Sequence, residues 1–113
     1  MQNIGIPVDT TKLTFVCVAP PHPKITNRET GEVKVDREGR TVYQVGLSVS
    51  NEAGRIDLVQ VNVPGEPGVH VGQIVTVPDL IARPWEQVIR GEKRQGISFG
   101  ASTVLPASAV QAA

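Results

Sequence analysis

Aromatic side chains are nearly missing from this chain: two phenylalanines, one tyrosine and one tryptophan in 113 residues. That scarcity excludes a sheet face paved with paired aromatics, the surface by which RNA-recognition sheets stack bases. Cysteine is scarcer still. Cys17 stands alone, so no internal disulfide can form, which suits a reducing compartment. Its neighbours LTFVCVA alternate like the interior of a strand and predict an inert buried thiol. Net charge is absent as well, with 11 basic against 11 acidic residues, so any attraction for a polyanion must be local. No apolar run approaches the roughly 20 residues that span a bilayer, and the first eleven residues carry no Lys or Arg to begin a signal peptide. A cytoplasmic protein without membrane contact is expected.

Catalytic signatures are also missing. There is no G-x-S-x-G and no P-loop, and the aspartates Asp9, Asp36, Asp57 and Asp79 are scattered among different segments. His22 and His70 sit beside prolines and glycines, away from any ligand at metal spacing. No enzyme activity, metal or cofactor is expected.

What the chain has is turn residues and valines. Eleven glycines and nine prolines punctuate it, and no window keeps a helical period. Residues 1–11 read as an extended N-terminal arm. Lys12–Ala19 reads as a strand apolar on both faces, as in packed sheets or a bent barrel strand, ended by APPHP because proline cannot donate to a ladder. KITNRETGEVKVDREGR, residues 24–40, follows as either a short projecting ribbon or a surface loop. Val42–Ser50 alternates cleanly, with Tyr43, Val45, Leu47 and Val49 inward. After the turn Asn51–Gly54 the chain returns over Arg55–Val63. Its apolar phase slips between Leu58 and Val59, which predicts a bulge there. Gln73–Ala82 and Gly96–Val104 are the fourth and fifth strands, and a disordered tail is expected over 106–113.

Five strands in this order, with a long connection after the first, predict an all-β, five-stranded OB-fold-like barrel over residues 12–105, with an SH3-type barrel as the alternative. In an OB-fold, extended oligonucleotides lie across the second and third strands between two long loops. Here the last connection, RPWEQVIRGEKRQG over 83–96, places Trp85 among Arg83, Arg90, Lys93 and Arg94. Residues 83–94 carry four basic and two acidic groups, against one and four over 51–82. The other long connection adds Lys24, Arg28, Lys34, Arg37 and Arg40. Trp85 can stack on a base or fold back to plug the barrel, and the parity of Tyr43 turns it toward the core.

The succession P-x-P, T-G-E, D-x-E-G-R, V-Y-x-V, V-x-V-P-G-E-P, V-G-Q-x-V-x-V, L-I-A-R-P-W-E and G-I-S-F-x-A-S, spread over residues 6–104, resembles small proteins of actinobacterial plasmids and integrative conjugative elements. In strand order and loop placement the chain is also similar to the single-stranded DNA-binding proteins of filamentous phages, which are five-stranded OB-type dimers. These resemblances imply a non-catalytic protein that binds single-stranded nucleic acid, most simply DNA, as a homodimer. It would act in replication or transfer of a mobile element beside a replication or conjugation protein. Trp85 and Tyr43 would stack, while Arg83, Arg90, Lys93, Arg94, Lys34, Arg37 and Arg40 would neutralise phosphates. The competing expectation is an OB-like adaptor or regulatory module that touches no nucleic acid. It gains if each cation is neutralised by a neighbour.

Overall fold

The computed structural model describes residues 4–27 and 29–107. Ten strands follow one another: β1 Ile6–Pro7, β2 Thr14–Pro23, β3 Ile25–Asn27, β4 Glu32–Val33, β5 Val42–Ser50, β6 Ile56–Pro64, β7 Ile74–Thr76, β8 Ile81–Ile89, β9 Glu92–Gly100 and β10 Leu105–Pro106. The protein is all-β. No helix among the described residues is long and apolar enough to cross a membrane. The expected five strands become ten, because short paired segments form at both ends and the presumed loops are themselves paired.

Eight strands make one sheet in the order β1-β8-β9-β6-β5-β2-β7-β10, and β3 and β4 pair separately. All pairs are antiparallel except β6 with β9, joined at Val61↔Phe99 and Asn62↔Gly100. The ladder does not close. Yet β7 and β8, five gaps apart in the sheet, are consecutive in the chain and linked only by Val77–Leu80. A flat sheet would separate them by about 24 Å at ~4.8 Å per strand, whereas five residue steps reach at most roughly 18 Å. The sheet therefore coils back on itself. Inside the coil lie Phe15, Cys17, Val45, Leu47, Val61, Val63, Val75, Val77 and Val104, each at most 3 % exposed.

β5 and β6 show why alternation was a reliable guide. Val45, Leu47, Val61 and Val63 point inward from two strands paired without interruption from Val42↔Pro64 to Ser50↔Ile56. The bulge expected at Leu58–Val59 is therefore absent. Ile56 and Leu58 simply face outward, 68 % and 76 % exposed. The register shifts fall instead in β2, between Cys17 and Ala19 and between Ala19 and His22. They explain a second correction. β2 continues through the proline run to Pro23, since the irregular register seats prolines where no ladder donor is needed.

The 24–40 segment is a ribbon, made by β3 with β4 and by a bridge between Val35 and Thr41. The 83–96 segment, expected as a loop, is a second and longer one. β8 and β9 pair from Ile81↔Gly100 to Ile89↔Glu92. Arg90 and Gly91 turn the hairpin with φ of 51° and 80°, the two positive values a type I′ turn requires. Nine residues of extended chain span roughly 30 Å, so this ribbon projects well beyond the core and contributes to a longest dimension of 49 Å. At the termini, Ile6 and Pro7 pair with β8, and Leu105 and Pro106 with β7. The rest of the expected tail, 108–113, lies outside the described residues, as do residues 1–3 of the arm.

Candidate nucleic-acid interface

The two faces of the β8–β9 ribbon differ because only one of them continues the core. Ala82 and Phe99, paired across the strands, turn inward against the buried cluster. Strand alternation then places the pairs Arg83↔Ser98, Trp85↔Gly96, Gln87↔Arg94 and Ile89↔Glu92 together on the outer face. Trp85 is 42 % exposed and does not belong to the core cluster, so it does not plug the core. Its ring lies against Gly96. A Cβ added to that glycine would fall 2.8 Å from Cζ2 and 2.9 Å from Cε2 of the indole. The missing side chain is what lets the ring come this close to the strand.

Arg83 stands two residues before Trp85 on the same face, about 7 Å away along the strand, and Arg94 flanks the ring from β9. Arg83 has no ion pair among the described residues; Glu86, three residues on, sits on the other face and pairs with Lys93 at 2.8 Å. That pair takes Lys93 away from the tryptophan. Arg94 Nη2 is 3.8 Å from Glu92 Oε2, a loose contact between exposed groups. Arg90 occupies the ribbon tip.

Arg83 also opens onto a groove of about 470 Å³ lined by Lys24, Lys34, Asp36, Asp79 and Ser98, with Asn62 and the core residue Phe99 at its floor side. A ring of backbone hydrogen bonds positions the two lysines. Lys24 N–H donates to Val42 O at 2.8 Å, Val42 N–H to Lys34 O at 2.8 Å, and Lys34 N–H to Lys24 O at 2.8 Å. This ring pins the base of the 24–40 ribbon to Val42 of β5 and sets the two lysines side by side, both lining the groove. Burial, and then repulsion from Lys34, holds the Lys24 ammonium below its usual pKa.

The groove's carboxylates are already engaged. Asp36 Oδ1 accepts the N–H groups of Glu38 and Arg40, each at 2.9 Å, and its Oδ2 pairs with Arg40 Nε at 2.9 Å. Its carboxyl is held below the ordinary value, mainly by the Arg40 backbone bond. Asp79 Oδ1 accepts Ser102 N–H at 3.0 Å, and this residue's hydrogen bonds lower its pKa too. Among the described residues no hydrogen-bond donor meets the buried Oδ1 of Asn62; an unmet buried acceptor costs about 1–3 kcal/mol.

Of the other expected contacts, Arg40 is neutralised by Asp36 and by Glu38, 3.0 Å from its Nη2. Arg37 is exposed in the same ribbon-tip turn. Tyr43 packs against the core cluster and offers no stacking platform. Arg28 lies outside the described residues. Sequence reasoning passed over Lys24, Asn62 and Ser98 as members of one groove, because only the backbone ring and the β6–β9 pairing bring them together. Among the described residues no group of three or more His, Cys, Asp or Glu could hold a metal ion. In comparisons with protein-family models and with curated proteins, nothing matches this chain.

Proposed function

We propose that this protein binds single-stranded nucleic acid, DNA in the first instance, without catalysing a reaction on it. The scaffold is read as an OB-type barrel of five principal strands: β2, β5, β6, an interrupted fourth strand made of β7 and β8, and β9. The parallel β6–β9 contact and the pairing of β2 with both β5 and β7 support that reading.

The observation that carries the proposal is the exposed indole of Trp85, packed against Gly96 and flanked on its own face by Arg83 and Arg94. An exposed indole can offer its face to any base, and base stacking on an aromatic is worth about 1–3 kcal/mol. The strand would run from the ribbon tip at Arg90, past Arg94, Trp85 and Arg83, into the groove of Lys24 and Lys34. Phosphates would meet cations along that path. Ser98 and Asn62 would meet sugar or base edges in the groove. The role in replication or transfer of a mobile element follows from the sequence resemblance and belongs to the same proposal.

Anisotropy titration with a labelled mixed-sequence 30-nucleotide strand tests it. Five engaged cations give a salt slope of roughly −3.5, at about −0.7 per phosphate neutralised. No binding at low salt would reject nucleic acid as ligand and favour the adaptor reading.

A further inference from the structure

Lys24, Lys34 and Arg83 all line the groove, and none of them has an ion pair among the described residues. Backbone, not a counter-ion, places each one. The two lysines are set side by side through their hydrogen bonds with Val42 and with each other. The Arg83 guanidinium lies against Gly5, where an added Cβ would stand 3.4 Å from Cζ and 3.5 Å from Nη2. Burial, and then Lys34, holds the Lys24 ammonium below its usual pKa, as expected of neighbouring cations with no anion between them. The carboxylates of the lining do not supply that anion. Asp36 is engaged by Arg40 and two backbone N–H groups, and Asp79 by Ser102 N–H.

The line of unpaired cations also stops here. No Lys or Arg occurs in 42–54, 56–82 or 95–107, the segments that supply the rest of the groove wall. Past Lys34 the 24–40 ribbon holds Asp36, Arg37, Glu38 and Arg40, and Arg40 is already bound to both carboxylates. A strand arriving past Arg94 and Trp85 therefore meets its last free cations in the groove. A phosphodiester inside a strand carries one charge. A terminal phosphomonoester carries about −1.5 to −2 at neutral pH and presents three acceptor oxygens. That is the better match to three cations converging where the track ends. We propose, on the single-strand reading given above, that the groove is an end site: it takes the terminal phosphomonoester of the strand, its oxygens shared among Lys24, Lys34 and Arg83.

Calorimetric titration of the full chain at low salt tests the end site, with one sequence of about 12 nucleotides, a length that one OB-type barrel can cover. The strand is supplied with a 5′-phosphate, with a 3′-phosphate, or with hydroxyls at both ends. One phosphorylated form is expected to bind at least about tenfold more tightly than the hydroxyl form, the scale of one hydrogen bond to a charged group. Which form does so gives the polarity of the strand. Lys24→Gln and Lys34→Gln should each bring the ratio close to one. Trp85→Leu should weaken all three strands alike and leave the ratio intact. If all three strands bind equally, the end site is overturned while the single-strand reading stands. The same follows if the preference survives Lys24→Gln, Lys34→Gln and Arg83→Gln. Failure of every strand to bind at low salt removes both.

Discussion

Trp85 packs against Gly96, its partner on the neighbouring strand, so closely that a Cβ on the glycine would sit 2.8 Å from the indole. The ring is held against the strand, and the side chain stays 42 % exposed. Replacing Gly96 with alanine must lift the ring. Gly96→Ala is expected to shift the tryptophan emission and lose part of the roughly 1–3 kcal/mol that stacking supplies, while Trp85→Leu loses all of it. Titrations of the two variants with one oligonucleotide compare them directly.

Cations on the two faces of the ribbon should not count equally. Arg83→Gln and Arg94→Gln should each reduce the salt slope by about 0.7. Lys93→Gln should leave it nearly unchanged, because Lys93 is bound to Glu86 on the opposite face. Binding isotherms at several salt concentrations give the slopes. Equal losses for all three would place the strand elsewhere.

The lysine pair of the groove sets stability against binding. Lys24 has a folded pKa below 10.5, lowered by burial first and by Lys34 second. Between the folded value and 10.5 the unfolded chain binds more protons, so this group makes stability rise with pH through that window. Below it the cost of the buried charge is present in full. Lys34→Gln removes the repulsion and should leave the midpoint of chemical unfolding at neutral pH unchanged or slightly higher, by less than about 0.5 kcal/mol. The same change should weaken oligonucleotide binding.

Gly46 faces Ala19 where β2 shifts register, and a Cβ there would meet that of Ala19 at 2.7 Å. Gly46→Val is expected to destabilise the protein by about 1–3 kcal/mol, as overpacking does. Urea denaturation measures it. A neutral result would mean that β2 moves freely away from β5.

Much of the core was legible because β5 and the inner half of β6 bury one face and wet the other, which writes a period of two into Val45, Leu47, Val61 and Val63. The charged ribbon over 24–40 was legible as one of two forms, from the alternation Glu32–Val35 between turn residues. The β8–β9 ribbon was not. Beyond Ala82 and Phe99 neither face packs on the core, so Glu86, Val88, Lys93 and Gln95 carry no inward pattern. Arg90-Gly91 was its remaining signal, and arginine is an unusual residue for a positive φ. The phase slip at Leu58–Val59 was seen but misread. Apolar residues on the outward face of a strand, such as Ile56 and Leu58, look, in sequence, the same as a bulge. Trp85 and its basic neighbours were visible as a cluster, whereas their alignment with Lys24 and Asn62 depends on contacts between distant segments.

The central claim rests on one exposed indole, and Trp85 is the chain's only tryptophan. Its fluorescence, followed while a single-stranded 30-mer is added at low and at moderate salt, reads that ring directly. The account predicts saturable quenching that weakens with salt and is reduced in Arg83→Gln. Binding seen by anisotropy with no change in Trp85 emission, or no binding at low salt, would contradict it.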